Sequence, residues 1–186
     1  MNFCAQCGDQ VFLQIPLDDN RERHVCKACG EIHYQNPKNV VGTVSLWENK
    51  ILLCRRAIEP RKNYWTLPAG FLELHETSAE GAVRETLEET GAQVDIGGLF
   101  TILNVPHIGQ IHWFYIAKMR DSSFSPFTSE STEVALFDES EIPWDDLAFL
   151  TVKTCLRHFF DDRAAGKDLL SPHLITHLTD LRPVKN

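Results

Sequence analysis

The sequence predicts an α/β sandwich preceded by a small, separate unit. Three observations support this prediction: several β-branched and aromatic runs are bounded by turn residues, two segments carry apolar residues at helical spacing, and two matched cysteine pairs lie near the N-terminus. We expect the small unit at residues 1–36, the main domain at residues 37–166 and a C-terminal tail at residues 167–186.

Size and charge limit the classes of function. The chain has 186 residues, of which 43% are hydrophobic, enough for one main core with a small appendage. No run reaches the roughly 18 apolar residues of a membrane span, and the N-terminus MNFCAQCGDQ lacks the features of a secretory signal. We therefore expect a cytoplasmic protein without a membrane partner. The net charge of −8 argues against stable binding to nucleic acid.

Four cysteines predict a structural zinc site in the N-terminal unit. Their spacing, C-x₂-C-x₁₈-C-x₂-C, is typical of four-thiolate zinc sites. The four residues are Cys4, Cys7, Cys26 and Cys29. Disulfides or free thiols are the alternative, although a cytoplasmic chain disfavours disulfides and about 36 residues cannot hold a core without a staple. His24 and His33 are close enough in sequence to replace a cysteine ligand.

The middle of the chain predicts a sheet. The segment NVVGTVSLWENKILLCRR predicts two strands around a turn at residues 48–50. The segments VDIGGLFTILNV and IHWFYIAKM predict two further strands separated by PHIGQ, and EVALF predicts a short one. The segment TVKTCLRHFFDDRAAG has apolar residues at helical spacing and ends at Gly166, so it predicts a helix.

A second helix is predicted within GFLELHETSAEGAVRETLEETGA, which begins at Gly70. The tetrapeptide TSAE has the S/T-x-x-E form of a capping box, so the helix should begin near Ser78. Gly91 is suited to the left-handed position that ends a helix. The helix therefore follows a loop that starts at a glycine.

Three glutamates of this helix predict a cation site. Glu85, Glu88 and Glu89 should project together, since residues three and four apart are neighbours on a helix. Like charges at i,i+4 cost roughly 0.2–0.5 kcal/mol per pair, so a bound cation would compensate. Carboxylate oxygens suit Mg²⁺ or Mn²⁺. A solvated acidic face is the alternative, but Arg84 is the one basic residue interleaved among these glutamates.

The segment resembles the Nudix box, G-x₅-E-x₇-R-E-U-x-E-E-x-G-U. The seven matching positions are Gly70, Glu76, Arg84, Glu85, Glu88, Glu89 and Gly91. Thr86 departs from the box, which prefers a large aliphatic residue there. Similarity to Nudix hydrolases implies a Nudix α/β/α sandwich with a mixed sheet. It also implies hydrolysis of a nucleoside diphosphate linked to another moiety.

The resemblance implies a set of ligands for Mg²⁺ or Mn²⁺. Glu85 and Glu89 would be the main metal ligands, and Glu88 would be a further ligand or the base that deprotonates water. A backbone carbonyl at Ala69 or Gly70 would complete part of the coordination shell. Such cations lower the pKa of a bound water and neutralise phosphate oxygens.

The resemblance also implies supporting residues. Glu76 and Arg84 would hold the geometry of the loop and the helix. A distal glutamate in this family often joins the metals or acts as base, and we expect it to be Glu133, with Glu130 as the second choice.

Basic and aromatic residues near the box are candidates for substrate binding. Arg55 and Arg56 are adjacent on a strand and face opposite sides, so one of them could hold phosphate oxygens while the other is a surface charge. Aromatic side chains could stack on an adenine or flavin ring, with a purely structural role in the core as the alternative. The candidates are Tyr64, Trp65, Phe71 and Tyr115.

Finer resemblances rank the substrates. A zinc ribbon before a Nudix domain is similar to bacterial NADH pyrophosphatases, but their S-Q-P-W-P-F-P array is replaced here by LFTILNVPHIGQIHWF. The segments HYQNPK, WTLPAGFLE and EIPWDDLAF resemble zinc-ribbon Nudix enzymes related to plant chloroplast FAD pyrophosphatase. Pro106, fifteen residues after Gly91, resembles a marker of ADP-ribose pyrophosphatases. These resemblances rank FAD or ADP-ribose first and NADH third, with AMP as the shared product.

Two alternatives to this small-molecule hydrolase stay open. One is a non-catalytic Nudix module that senses a nucleotide, and the other is an enzyme that removes a dinucleotide cap from RNA. The resemblance also favours a homodimer with the ribbon near its interface.

Overall fold

Two units make up the chain in the computed structural model, Met1–Asn36 and Pro37–Asn186. The structure describes residues 1–125, 129–170 and 177–182. Within these ranges, no helix combines the length and the apolar character needed to cross a membrane.

The first unit is a small antiparallel sheet with two repeated cysteine turns. Its strands are β1 (Val11–Gln14), β2 (Arg23–Cys26) and β3 (Ile32–His33), in that order across the sheet. In one turn the Gly8 N–H donates to the Cys4 carbonyl at 2.9 Å, and in the other the Gly30 N–H donates to the Cys26 carbonyl at 2.9 Å. Both glycines have φ near +78°, a left-handed conformation that glycine adopts without a Cβ penalty.

The second unit contains a mixed sheet, and the predicted strands are confirmed. The first two predicted strands form a hairpin around the predicted turn, and the next two are joined by a 3₁₀ turn at Pro106–Ile108. The strands before the first helix are β4 (Lys38–Trp47), β5 (Lys50–Arg56), β6 (Trp65–Thr66) and β7 (Ala69–Phe71). Those after it are β8 (Val94–Val105), β9 (Gln110–Met119), β10 (Ser131–Phe137) and β11 (His177–Asp180).

The order of the strands depends on pairings between distant segments. Among the described residues the order is β10-β5-β4-β9-β8-β11, with β6 paired to β5 and β7 paired to β4. The β4–β9 and β8–β11 pairs are parallel, and the other pairs of this sheet are antiparallel. The strand β11 comes from the segment predicted as a tail, and residues 171–176 and 183–186 of that segment lie outside the described residues.

A helix covers each face of the sheet. Side chains of β9 alternate: Phe114 and Ile116 join the core cluster of the helix α2 (Leu150–Ala164), whereas Tyr115 packs with residues of the helix α1 (Ser78–Thr90). This alternation follows from the two-residue period of a strand. The expected α/β/α sandwich with a mixed sheet is confirmed.

Helix α1 begins and ends where the sequence predicts. Thr77 is its N-cap, and the Thr77 and Glu80 side chains form the reciprocal capping box. Gly91 ends the helix in the left-handed region, with φ of 70°. The departure from the box at Thr86 also has a structural explanation. Its hydroxyl is buried and bonds to the Thr43 hydroxyl and the Ala82 carbonyl, both at 2.7 Å.

Candidate active site

Glu89 is the most deeply buried of the three helix glutamates. Its carboxylate accepts a hydrogen bond from the Ala69 N–H at 3.0 Å and lies 3.5 Å from the thiol of Cys54. Burial raises the pKa of Glu89 to about 7, because a carboxylate loses hydration when it enters the protein. A cation beside this group would favour its ionised form.

Glu85 packs directly on the backbone of the preceding loop. A Cβ at Gly70 would overlap the Glu85 carboxylate, so a larger residue here would force this carboxylate to move. Burial raises the pKa of Glu85 as well, against the opposing effect of the neighbouring Arg84. The loop and the helix therefore meet along Ala69 and Gly70, the two residues whose carbonyls we expect to serve as ligands.

Arg84 connects the loop to the helix. Its guanidinium has five N–H groups and makes five hydrogen bonds. Two go to Glu76, at 2.7 and 3.0 Å, and the others go to Glu85 at 2.8 Å, Glu88 at 3.2 Å and the Phe71 carbonyl at 3.1 Å. The bonds from Arg84 lower the pKa of Glu76 to about 2. This arrangement can hold the loop and the helix in a fixed relation.

A cleft of about 750 Å³ opens over these residues. Glu85, Glu88 and Glu89 all line it, together with Arg84. Its size is within the usual range for sites that bind small molecules. One wall of the cleft is therefore strongly acidic.

The three carboxylates do not all come together as a single tight group. In the described part of the chain, only the four cysteines of the first unit bring three or more candidate ligand atoms within 4.8 Å of one another. The reason is local: Arg84 Nη1 lies between Glu85 and Glu88, while Glu89 turns to the Ala69 N–H. The donor set nevertheless fits a hard divalent cation, since all three groups are carboxylates on one cleft wall.

The cysteine cluster fits zinc. The Cys4 and Cys29 sulfurs are 3.7 Å apart, and those of Cys7 and Cys26 are 3.5 Å apart. A tetrahedron with Zn–S bonds near 2.3 Å has sulfurs about 3.8 Å apart. His33 Nε2 lies 3.3 Å from the Cys4 sulfur and so contacts a candidate ligand.

Comparisons with known proteins identify the family of the chain. A family model for a Nudix N-terminal zinc ribbon matches residues 2–35, and the NUDIX domain model matches residues 36–162, more than half of the chain. The chain belongs to the Nudix hydrolase family. The crystal structure of a NUDIX hydrolase from Nitrosomonas europaea is 46% identical, covers 97% of this chain and 100% of that one, and superposes with a TM-score of 0.89.

Curated Nudix relatives are more distant. An NAD-capped RNA hydrolase NudC of Vibrio parahaemolyticus is 28% identical over 77% of this chain and 50% of its own length. An ADP-ribose pyrophosphatase of Methanocaldococcus jannaschii is 38% identical over 39% of this chain and 43% of its own length. The chain thus spans about half the length of these relatives.

Two arginines are candidates for phosphate binding and two glutamates for the distal role, and one residue of each kind lines the Nudix cleft. Arg56 lines it, whereas Arg55 points elsewhere and pairs with Glu133 at 3.3 Å. Glu130 lines the cleft, whereas Glu133, the expected distal glutamate, is not among the lining residues. The physical reason is register: Glu133 stands opposite Arg55 on the neighbouring strand, after an irregularity in β10.

Of the four aromatic candidates, Phe71 lines the Nudix cleft. Trp65 is instead a core residue, with its ring centroid 4.9 Å from that of Phe137. Tyr115 is buried beside helix α1 and bonds to the Ser78 hydroxyl at 2.6 Å. Tyr64 borders a separate, smaller depression. Phe71 is therefore the candidate that lies at the cleft, and strand alternation turns Tyr115 to the opposite face.

Several cleft residues were not predicted from the sequence. They include Gln110 and His112 of β9, as well as Phe149 and Thr151 at the start of α2. Gln110 and His112 share a strand face with the core residue Phe114, a period-two relation that was available in the sequence. Phe149 and Thr151 reach the cleft through tertiary packing, which gives no local signal.

Proposed function

We propose that this Nudix hydrolase cleaves the pyrophosphate bond of an ADP-containing substrate and releases AMP. FAD and ADP-ribose are the first candidates, and NADH is the third. The observation that supports this most directly is the acidic cleft wall of Glu85, Glu88 and Glu89, packed against a glycine loop in a cleft of about 750 Å³. A cleft of this size can take most of a small nucleotide.

Mg²⁺ or Mn²⁺ is the proposed cofactor. Glu85 and Glu89 would be its main ligands, and a carbonyl at Ala69 or Gly70 would complete part of the shell. Glu88 would be either a further ligand or the base that deprotonates water. When bound, such a cation neutralises phosphate oxygens and acidifies water. The close approach of the Glu85 carboxylate to the backbone at Gly70, which the missing Cβ permits, supports this assignment.

The other proposed roles belong to residues on the cleft walls. Arg56 would hold a phosphate oxygen, and its guanidinium is positioned by a bond to the Pro60 carbonyl at 2.8 Å and by the ring of Phe149 at 5.1 Å. Glu88 and Glu130 are the proposed acceptors of the proton that water loses as it attacks phosphorus. Phe71 would contact a ring of the substrate.

A hydrolysis panel tests the proposal. The purified protein is incubated with Mg²⁺ or Mn²⁺ and FAD, ADP-ribose, NADH, diadenosine polyphosphates or nucleoside triphosphates, and products are separated by chromatography. We expect AMP from FAD or ADP-ribose at the highest kcat/KM. Binding of these nucleotides without any product would indicate the non-catalytic sensing module instead.

Removal of an RNA cap is the second candidate function. It is supported by similarity to relatives named NAD-capped RNA hydrolases, over 77% of this chain. The net charge of −8 argues against tight binding of the RNA body. NAD-capped RNA belongs in the same panel, beside a filter-binding assay. Strong retention of RNA that weakens with salt, together with faster turnover of capped RNA than of FAD or ADP-ribose, would favour this function.

A homodimer in the cytoplasm is the proposed state of the protein. Seven large apolar side chains of the first unit are exposed, among them Leu13, Ile15 and Leu17, and such surface is suited to a second copy. The four thiolates required for zinc suit a reducing compartment. Light scattering after size-exclusion chromatography would test the dimer, and a monomer at micromolar concentration would contradict it.

A further inference from the structure

Two polar side chains of β9 form a pair inside the cleft. His112 Nε2 lies 3.0 Å from Gln110 Oε1, and both residues are half-buried and line the cleft. They are two positions apart on one strand, so their side chains share a face of the sheet. The pair is neither part of the acidic wall nor used in the proposed chemistry.

The pair stands away from the glutamates, toward the other side of the cleft. Phe71 of β7 is in register with Val40 of β4, and Val40 is in register with His112 of β9. Adjacent strands lie about 4.8 Å apart, so two strand spacings place His112 about 10 Å from the glycine loop that packs on Glu85. This separation is suitable for a ribose between a phosphate at the acidic wall and a base at the pair.

The surroundings keep His112 uncharged. Aliphatic residues line the cleft at this end, including Val40, Val105 and Ile108. Burial lowers the pKa of His112 to about 4, so the imidazole is neutral at neutral pH. A neutral polar pair among aliphatic side chains is suited to an uncharged ring with polar edges rather than to a phosphate.

The hydrogen bond defines which atoms are donors and acceptors. For Gln110 Oε1 to accept, His112 must carry its proton on Nε2, which leaves Nδ1 as an acceptor. The Gln110 amide group then has its NH₂ available as a donor. The pair thus leaves a donor at the Gln110 amide and an acceptor at His112 Nδ1, on either side of the hydrogen bond that joins them.

We propose that Gln110 and His112 recognise the adenine base of the substrate. Adenine carries a donor, the N6 amino group, from which His112 Nδ1 can accept, and ring-nitrogen acceptors to which the Gln110 amide can donate. Guanine carries O6 in place of the amino group, so an acceptor would face the His112 acceptor. The inference rests on the proposed function, because it names the group that gives this hydrolase a preference for ADP-linked compounds.

Binding of product fragments tests the pair independently of turnover. AMP, GMP and ribose 5-phosphate are titrated into the wild-type protein with Mg²⁺, and binding is followed by NMR. We expect AMP to bind more tightly than GMP and at least tenfold more tightly than ribose 5-phosphate. Equal affinity for AMP and ribose 5-phosphate would overturn the proposal, because the base would then contribute nothing.

Three variants assign the effect to the pair. His112→Phe keeps a ring but removes the acceptor, and Gln110→Ala removes the donor, so each should weaken AMP roughly tenfold and leave ribose 5-phosphate unchanged. His112→Asn retains an acceptor near the position of Nδ1 and should bind AMP better than His112→Phe. Unchanged AMP affinity in both His112→Phe and Gln110→Ala would also overturn the proposal.

A control variant and thermal unfolding distinguish a loss of adenine recognition from a loss of folding. His158 is half-buried with a lowered pKa, like His112, but does not line the cleft, so His158→Asn should bind AMP normally. Thermal unfolding verifies that each variant is folded. Gln110 and His112 could recognise adenine even in a protein that is not a hydrolase. In that case AMP binding depends on the two residues, but the hydrolysis panel yields no product.

Discussion

The carboxylate of Glu89 accepts a hydrogen bond from the backbone N–H of Ala69 at 3.0 Å, and this bond joins helix α1 to strand β7. It directs a buried acidic group toward the loop that would contribute carbonyl ligands. A neutral amide could accept the same bond without providing a charge. The relation therefore allows the structural role of Glu89 to be separated from its chemical role.

Glu89→Gln should remove most turnover and leave the fold intact. The glutamine oxygen can still accept from Ala69, but the cleft wall loses a charge needed to hold a cation. We expect kcat to fall at least roughly 100-fold. Loss of a residue that supports a metal site can already cost this much. Steady-state kinetics with ADP-ribose and thermal unfolding measure the two effects. Full activity in this variant would contradict the metal assignment.

The distal glutamates provide a matched comparison. Glu130 lines the cleft, whereas Glu133 is exposed and pairs with Arg55. If Glu130 accepts a proton during the reaction, Glu130→Gln should lower kcat roughly 100-fold. Glu133→Gln should stay within about twofold of the wild type, because exposed ion pairs contribute little. A larger loss of kcat in Glu133→Gln than in Glu130→Gln would indicate that Glu133 accepts the proton.

Local signals in the sequence were enough to predict much of this fold. Helix α1 was predicted at its correct limits because the capping box and Gly91 act within one turn of each end. The β4–β5 hairpin was equally local. Pairing of β4 with β9 and of β8 with β11 joins segments far apart in sequence, so the strand order could not be predicted.

The site was predicted less completely, for a related reason. Strand periodicity groups residues onto faces but does not say which face lines a cleft. Trp65 and Tyr115 were thus indistinguishable from Phe71 in the sequence, although the structure places both in the core. His112 and Gln110 belong to a strand whose sequence is mostly apolar. They lie near the glycine loop only because β4 pairs with both β7 and β9.

Arg84→Lys should disturb both stability and catalysis. Lysine has three donors and no planar fork, so it cannot reproduce the five hydrogen bonds of the guanidinium. We expect the free energy of unfolding to fall by roughly 1.5–3 kcal/mol, the scale of a lost hydrogen bond to a charged group. We also expect a lower kcat, since Glu85 and Glu88 lose their common partner.

Arg120→Lys is the control for this substitution. Arg120 also pairs with a carboxylate, that of Asp95 at 2.8 Å, but both side chains are more than half exposed. Such surface pairs are worth about 1 kcal/mol or less. Urea unfolding and steady-state kinetics should therefore separate the two variants. Equal losses in both would mean that the Arg84 network has no special role.

The cysteine cluster predicts that the first unit depends on zinc. Wild-type protein should contain about one zinc per chain, and Cys26→Ser should lose it, because a structural zinc site needs its four ligands. We expect amide resonances of residues 1–36 to lose their dispersion in this variant while those of the second unit persist. His33→Asn is the control: His33 contacts the Cys4 sulfur but is not one of the four cysteines, so zinc should be retained.

His112 predicts a pH dependence of stability. Its pKa is lowered from 6.5 to about 4 by burial, so the unfolded chain binds more protons than the folded protein between these values. The contribution of His112 is fully present above about pH 6.5 and is lost as the pH falls through about 4, by about 3 kcal/mol at most. Urea unfolding from pH 7.5 to pH 4 should show this loss in the wild type and not in His112→Phe. His75→Asn, at an exposed position, is the control and should follow the wild-type curve. Parallel curves for wild type and His112→Phe would contradict the burial of an uncharged imidazole.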